Sequence, residues 1–389
     1  MSTYELLPLG ETVRPQHFNR TSTAWYSFCR LPAPWRRSPT LRRGLYLCIA
    51  FTAVLLLMEY TFTSVSIDRQ QLRKLNGMQI YVAANLYNNE KILPMWIDEL
   101  YKLLKFFGPK NVYVSIFENG STDKTKQLLH SLKDSLNKMD VRNTIITDPT
   151  PKNYERRIPY LAQARNKVVE PMIKLYEDWK FDKVLFLNDI LFSVGEIIML
   201  IQSDIFNLLT TNDGNYDAAC GMDFYGAFYD EFATREITGL PIGSGYYPFF
   251  ADYKSRQSLI NGLPVPVYSC WNGMIALNPE PFIKYGVKFR AVLPQRSQVP
   301  FEASECCLVH SDFRQLNYSK IYINPNVKVF YEESRYNYVH YVLPIINMVM
   351  WLFNHPKPLS DVELANLAQL YRSAADLGVK ESDFICLQR

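Results

Sequence analysis

The 389-residue chain contains no Cys-x-x-Cys pair, no internal repeat and no low-complexity tract. The first absence excludes cysteine-built metal knuckles, because the adjacent Cys306-Cys307 lacks ligand spacing; the second excludes solenoids and propellers. A charge surplus is also missing from the body. The formal net charge of +4 arises from residues 1–43, where seven Arg face only Glu5 and Glu11, leaving 35 basic against 36 acidic residues in the remainder. A near-neutral body has no electrostatic footprint for nucleic acid, so no nucleic-acid partner is expected.

What is present begins with an uncharged run, Leu45–Met58 (LYLCIAFTAVLLLM), preceded by Arg36, Arg37, Arg42 and Arg43. This pattern predicts a single membrane anchor over 44–65, with a basic, disordered cytosolic tail over 1–43. A cleaved leader is the weaker alternative, since the polar segment before the run far exceeds an n-region. Glu59 shortens the span, which suits the thinner early secretory membranes. The expectation is a single-pass type II protein of the Golgi or ER membrane, with a short stem over 66–77 and a lumenal domain over 78–389. Of the seven cysteines, Cys220, Cys270, Cys306, Cys307 and Cys386 then face an oxidising lumen. Five is odd, so at least one stays free or joins a second copy in a disulfide-linked or non-covalent homodimer. The spacing leaves the connectivity open.

From Gln79 strands and helices alternate. QIYVAANL (79–86), NVYVSIF (111–117), VRNTIIT (141–147) and KVLFLND (183–189) read as strands, separated by amphipathic helices, one with Leu93, Trp96, Ile97, Leu100, Leu104 and Phe107 on a face. A third helix is predicted over 158–176. Such alternation implies an α/β fold with a parallel core sheet flanked by helices. In open sheets of this class ligands bind beyond the carboxyl ends of the strands. Those ends carry Asn85, Asn88, Asn89 and Glu90; Glu118, Asn119, Gly120, Ser121, Thr122 and Asp123; and Asn188-Asp189. A turn plus a helix cap explains each cluster alone. Together they form one polar rim, and a carboxylate with an adjacent amide suits a hard divalent cation that also takes phosphate oxygens.

The layout resembles GT-A glycosyltransferases, with Asn88-Asn89-Glu90 in the first loop, Glu118–Asp123 in the second, Ala164-Arg165-Asn166 on a helix and Asn188-Asp189 where a metal motif is usual. Asn188-Asp189-Ile190 stands in place of the DxD of that group. More narrowly, FLNDILF, CGMDFYGAFYDEFATREITG, SCWNGMIALNPEPF and SECCLVHSDF together are similar to the fungal α-1,3-mannosyltransferase group of glycosyltransferase family 69, which includes capsule-associated proteins, over residues 78–335. The resemblance implies a GT-A-like Rossmann-type mixed sheet, GDP-mannose as donor, an α-mannoside glycan acceptor in capsule polysaccharide synthesis, and Mn²⁺ or Mg²⁺ held by Asp189. Asn188 would complete the ion's shell, Glu118 and Asn85 would contact the guanosine with the 119–123 loop, and Arg165 the diphosphate. An α-linked product from an α-linked donor implies retention.

For the acceptor side, Asp223, Asp230 and Glu231 lie among aromatics in YDAACGMDFYGAFYDEF (216–232), the pairing of ring faces and carboxylates that binds sugars. Trp271 offers a stacking face, Asn272 both donates and accepts, and Gly273 allows close backbone approach. In FEASECCLVHSDFR, read as a helix, Glu305 and Asp312 share a face, whereas His310 lies away from both and reads as structural. Asp189, Asp223, Asp230 and Glu305 are the catalytic candidates. YVLPIINMVMWLF (341–353) reads as a packed core helix or strand, with interfacial membrane docking the minor alternative. Two rival functions remain: a GT-A transferase of xylose or galactose, and a catalytically silent Golgi scaffold or lectin-like subunit. Two sequons, Asn119-Gly120-Ser121 and Asn317-Tyr318-Ser319, occur in the body, and only Asn317 is expected to carry a glycan.

Overall fold

Short β-branched and aromatic runs become strands of one sheet, and the 3.6-residue apolar stripes become the helices that cover it. A computed structural model describes residues 69–149, 156–194, 203–293, 301–335 and 338–388, with four scattered positions between 43 and 49. The predicted tail and nearly all of the predicted 44–65 anchor therefore lie outside the described residues. Among the described residues no helix is long and apolar enough to cross a membrane.

The predicted stem is structured from Arg69 onward. It forms helix α1 (Arg69–Leu75), and Leu75 is buried in the core rather than free in a linker. Strand β1 (Ile80–Leu86) follows, then helix α2 (Leu93–Phe107), which starts on Pro94 in its first turn and ends at Gly108, whose φ of 87° a side chain would resist. Strand β2 (Val112–Glu118), helix α3 (Thr125–Lys138), strand β3 (Asn143–Thr147), helix α4 (Arg157–Leu175) and strand β4 (Lys183–Leu187) complete the alternating half.

The second half supplies strands β5 (Ala218–Tyr225), β6 (Ala227–Phe228), β7 (Arg235–Glu236), β8 (Val265–Ser269) and β9 (Met274–Leu277). After these come β10 (Glu302–Ala303), helix α5 (Glu305–Gln315), β11 (Ile321–Val329), helices α6 (Leu343–Phe353) and α7 (Asp361–Asp376), and β12 (Leu387–Gln388).

The sheet order is β3-β2-β1-β4-β9-β5-β11-β8-β7, with β6 hydrogen-bonded to β5. β3, β2, β1 and β4 are mutually parallel, while β9 runs antiparallel between β4 and β5. The sheet is thus mixed, as a Rossmann-type core with an antiparallel insertion. One face is covered by α2 and α3 through Trp96, Leu100, Leu129 and Leu132; the other by α4 and α5 through Val168, Met172, Val309 and Phe313.

Four of the five lumen-assigned cysteines pair, Cys220 with Cys270 and Cys307 with Cys386. Closing loops of 50 and 79 residues restricts the unfolded chain by about 4 kcal/mol each on the chain-entropy account. The odd thiol is Cys306, which is buried. It has no surface to offer a second copy, so the expected disulfide-linked dimer has no thiol among these five.

The segment expected to pack as core does not. It forms α6, in which only Leu343 is buried, while Trp351, Leu352 and Phe353 are exposed. A helix apolar around its whole circumference can bury only the strip that meets the domain.

Asn119 is buried beyond the end of β2, whereas Asn317 is exposed in the turn after α5. Glycopeptide mapping of the chain secreted from a eukaryotic host should find a glycan on Asn317 and none on Asn119. Occupancy at Asn119 would mean that the loop after β2 is not folded as described.

Candidate active site at the carboxyl ends of the strands

Parallel pairing of β1 with both β2 and β4 brings the polar ends of three strands to one rim. Asn85 Nδ2 donates to the Ala164 carbonyl of α4 at 3.1 Å, but Asn85 Oδ1 is buried without a hydrogen-bond partner. Glu118 accepts from the Ser121 N–H through Oε1, and its Oε2 is likewise unpartnered. Asn119 Oδ1 and Asn188 Oδ1 complete a set of four orphaned oxygens. Each such atom costs about 1–3 kcal/mol when left unsatisfied. Clustering at adjacent strand ends marks a surface made for a ligand's donors or for a cation.

The two loops on this rim brace each other. Asn88 N–H donates to Ser121 Oγ at 2.9 Å and Thr122 N–H returns to Asn88 Oδ1 at 2.9 Å. Asp123 accepts from Glu90 N–H at 3.0 Å and from Thr125 N–H at 3.0 Å. Ser121 and Asp123, assigned above to the nucleotide, therefore spend their side chains on the loop itself. Gly120, at φ 81°, lets the chain turn between them.

Beside the rim opens a cavity of about 540 Å³. It gathers Asn188 and Asp189 from the end of β4, Arg165 from α4, Asp230, Trp271, and Glu305 at the first turn of α5. These six come from sequence segments up to 140 residues apart. Asn85 and the Glu118–Asp123 loop do not line this cavity; they form the neighbouring ledge.

Arg165 is its organising charge. The guanidinium is buried, pairs with Glu305 Oε1 through Nη1, and lies 4.8 Å from the centre of the Trp271 ring. Burial opposes its charge, yet Cys306, Glu305, Asp230 and Asp189 around it outweigh that penalty and hold it protonated beyond its ordinary range. Its flanking residues fix α4: Ala164 accepts from Asn85, and Asn166 exchanges two hydrogen bonds with the Phe289 main chain at 2.8 and 2.9 Å.

Asp230 is held from two sides, accepting from Ala233 N–H at 3.1 Å and Asn272 N–H at 3.0 Å. Its carboxyl is pushed above the usual range by burial. Asp223, expected here as a catalytic candidate, is fully buried behind it and does not line the cavity. It accepts from Asp230 N–H at 3.2 Å and from the Tyr331 hydroxyl at 2.6 Å. Burial first, and the neighbouring Asp230 second, raise Asp223 to about 7. Asp223 is thus a positioning residue for Asp230 and Tyr331, both of which do face the cavity.

Three expected acceptor contacts lie elsewhere. Asn272 is buried and spends its amide on the Gly221 carbonyl at 2.6 Å and the Thr234 hydroxyl at 3.1 Å, which stabilises its φ of 55°. Glu231 is exposed on the surface outside the cavity. Asp312 does share a face with Glu305, but seven residues carry it about 10 Å along the helix axis. There it forms a two-pronged pair with Arg290 at 2.8 and 2.9 Å. His310 is buried, its Nδ1 2.7 Å from the Cys306 carbonyl, and burial lowers it to about 4. It is a neutral core residue, as its position on the helix suggested.

The cavity also uses Tyr331 and Arg157, which the sequence did not single out, and Gly273, read above as a point of close backbone approach. Tyr331 follows β11, another strand ending at this rim, a signal blurred by Pro325 within the strand. Gly273 has a physical signature: at φ 70°, a Cβ would fall 2.5 Å from Ile190 Cγ2, so only glycine lets the chain turn against the Asp189-Ile190 segment.

Among the described residues no group of three or more His, Cys, Asp or Glu side chains is placed to hold a metal. The oxygen set at Asn188-Asp189 fits a hard cation only as a sparse site, with one carboxylate and one orphaned amide oxygen, the rest coming from water or phosphate.

Comparison with known proteins identifies the family of the chain. Residues 79–312 match the family model described as Cryptococcal mannosyltransferase 1. The alpha-1,3-mannosyltransferase CMT1 of Cryptococcus neoformans is 26% identical over 277 residues, 65% of this chain. The match spans 58% of that relative's length. Among solved structures, the mannosyltransferase PcManGT of Pyrobaculum calidifontis is 13% identical, covering 85% of this chain and 84% of its own, with a TM-score of 0.39. S. aureus TarS is 14% identical, covering 74% of this chain and 41% of its own, with a TM-score of 0.38. The matched span contains β1, β4 and every cavity side chain from Arg157 to Cys306, and the chain belongs to the Cryptococcal mannosyltransferase 1 family.

Proposed function

We propose that the chain is a mannosyltransferase that moves mannose from GDP-mannose to an α-mannoside glycan, forming an α-1,3 linkage with retention. One observation carries the reading: a single cavity joins the Asn188-Asp189 strand end to Asp230 and Glu305 through Arg165, all of them within the family-matched span.

Transfer requires the negative charge that develops on the departing diphosphate to be neutralised. Asp189 with Asn188 would hold a divalent cation, Mn²⁺ or Mg²⁺, which would supply that neutralisation as a Lewis acid. The cavity walls argue for it. Two guanidinium groups, Arg157 and Arg165, face three carboxylates, Asp189, Asp230 and Glu305, so the protein alone offers a diphosphate no excess of positive charge. Asn85 and Glu118 on the adjoining ledge present unpartnered oxygens for the N–H and hydroxyl donors of the nucleoside. Trp271 and the tyrosines give stacking faces to the sugars.

In the retaining step the bond from the mannose anomeric carbon to the phosphate oxygen breaks, the acceptor oxygen bonds to that carbon on the same face, and the acceptor proton passes to the leaving phosphate. Asp230, locked by two backbone donors, is the carboxylate best placed to orient the acceptor hydroxyl or to stabilise the cationic sugar. Glu305 is neutralised by Arg165 and holds the guanidinium in place. The setting we propose is the Golgi or ER lumen, behind the single N-terminal anchor.

Full-length chain in detergent, given GDP-mannose, Mn²⁺ and an α-mannobioside, should yield an α-1,3-linked trisaccharide, and chelator should abolish it. Asp189→Ala, at an exposed position, should fold normally and lose about 100-fold or more in kcat. Turnover only with UDP-xylose or UDP-galactose would replace the donor assignment. Unchanged turnover in Asp189→Ala would remove Asp189 from the reaction.

The raised Asp223 makes a separate prediction. Its folded value lies above the unfolded one, so its contribution to stability is complete below about pH 4 and is lost as pH rises through about 7. Asp223→Asn should therefore melt higher relative to the parent chain at pH 8 than at pH 5. A difference in Tm that does not change with pH would show that Asp223 is ionised throughout.

A further inference from the structure

The cavity does not end the sugar-binding surface, and what lies beside it rests on the transferase reading above. Tyr225 and Tyr229 line the mouth and remain 50% and 58% exposed, their rings 5.9 Å apart. The Arg335 guanidinium covers the Tyr225 ring at 4.7 Å and fixes its orientation. From this hairpin a backbone contact leads to the next exposed ring. Phe228 N–H donates to the Gly245 carbonyl at 3.0 Å, and the next residue, Tyr246, is 48% exposed. Asn354 Nδ2 then ties the Tyr246 carbonyl at 2.8 Å, the Tyr247 carbonyl at 2.9 Å and Ser244 Oγ at 3.0 Å.

Ser244 and Asn354 are walls of a second cavity, of about 580 Å³, that no catalytic argument uses. Tyr253 stands at this cavity with two thirds of its surface exposed. Pro241, Pro356 and Pro358 add flat apolar surface, and His355 and Lys357 add polar groups. The carboxylates of the same wall are already engaged: Glu236 accepts from three backbone N–H groups, and Glu363 closes the capping box of α7.

We infer that Tyr246, Tyr253 and the second cavity form a remote acceptor subsite, reached from the catalytic cavity along the Tyr225–Tyr229 ledge, which binds the distal residues of a linear α-mannooligosaccharide. Rigid, half-exposed aromatic rings joined to a cavity that is half polar suit a chain of pyranose rings, each with one apolar face and a rim of hydroxyls. Continuity with the transfer site favours a glycan over a proline-rich peptide, the other chain that docks on aromatic grooves. The natural acceptor is then longer than a disaccharide.

The test is calorimetric titration of full-length chain in detergent with α-mannobiose, mannotetraose and mannohexaose, beside decaproline as a competing probe. Affinity should rise about tenfold from the disaccharide to the hexasaccharide. The double variant Tyr246→Ala/Tyr253→Ala should lose that rise while binding the disaccharide as the parent does. Both side chains are exposed, so circular dichroism melting should be unchanged. Equal affinity at all lengths, a rise that survives the double variant, or binding of decaproline in place of the hexasaccharide would each overturn the subsite. Tyr-dependent hexasaccharide binding without mannose transfer would keep the subsite and discard the transferase. Transfer to the disaccharide with no gain from length would do the reverse.

Discussion

The buried pair of Arg165 and Glu305 is the constraint around which the site is arranged. A guanidinium taken out of water is costly unless its charge is met and its hydrogen bonds are made. Here the middle of α4 supplies the cation and the first turn of α5 supplies the anion, so the two helices on one face of the sheet are locked to each other beside the site. Trp271 closes over the guanidinium, and Asp230 and Asp189 extend the field into the cavity. Glu305 sits in the first turn of α5, where a negative side chain complements the amino end of a helix. Removing either partner would strand a buried charge, and the penalty for that exceeds what the pair contributes when intact.

The sheet order explains why this pair can organise residues so distant in sequence. β9 enters antiparallel between β4 and β5, so the chain leaving Trp271-Asn272-Gly273 passes beside the end of β4. Asn188 N–H donates to the Gly273 carbonyl at 3.1 Å, coupling the turn to the candidate metal residue directly. The positive φ of both Asn272 and Gly273 is needed for that turn, and Asn272 is stabilised in it by its two side-chain hydrogen bonds. The Cys220–Cys270 bridge holds the same turn to β5 from the other side. Sequence conservation need not be invoked: the geometry alone requires a glycine at 273 and a small hydrogen-bonding side chain at 272.

The first half of the fold was legible because its signals are local. The strand starts at 79, 111 and 183 and the helix over 158–176 fall within about two residues of the observed elements, since period and capping depend on near neighbours. The rim of Asn85, Glu118 and Asn188 followed from strand ends in a parallel sheet. Asp312 was misplaced because helical phase specifies a face but not the distance along the axis. Asn272 and Asp223 were misplaced because a buried polar side chain and a ligand-facing one look the same in sequence; only the hydrogen-bond partners tell them apart. The exposed α6 failed for a different reason. Hydrophobicity measures what a segment would gain by burial, and it carries no information on whether a partner surface exists.

The arrangement of acids follows one electrostatic logic. Asp223 and Asp230 lie close enough for each to disfavour ionisation of the other, and burial adds to the effect. The inner acid, Asp223, has no cation in hydrogen-bond contact and is the one whose proton is retained toward neutrality. The outer acid, Asp230, is drawn toward its ionised form by Arg165 and Arg235 and by two backbone donors. A neutral inner carboxyl spares the cavity a further negative charge while still fixing Tyr331 and the Asp230 backbone. A site admitting a diphosphate, as proposed above, would gain from every anion it withholds, and exposed Asp189 at the end of β4 is where an added cation would cost little to bring in.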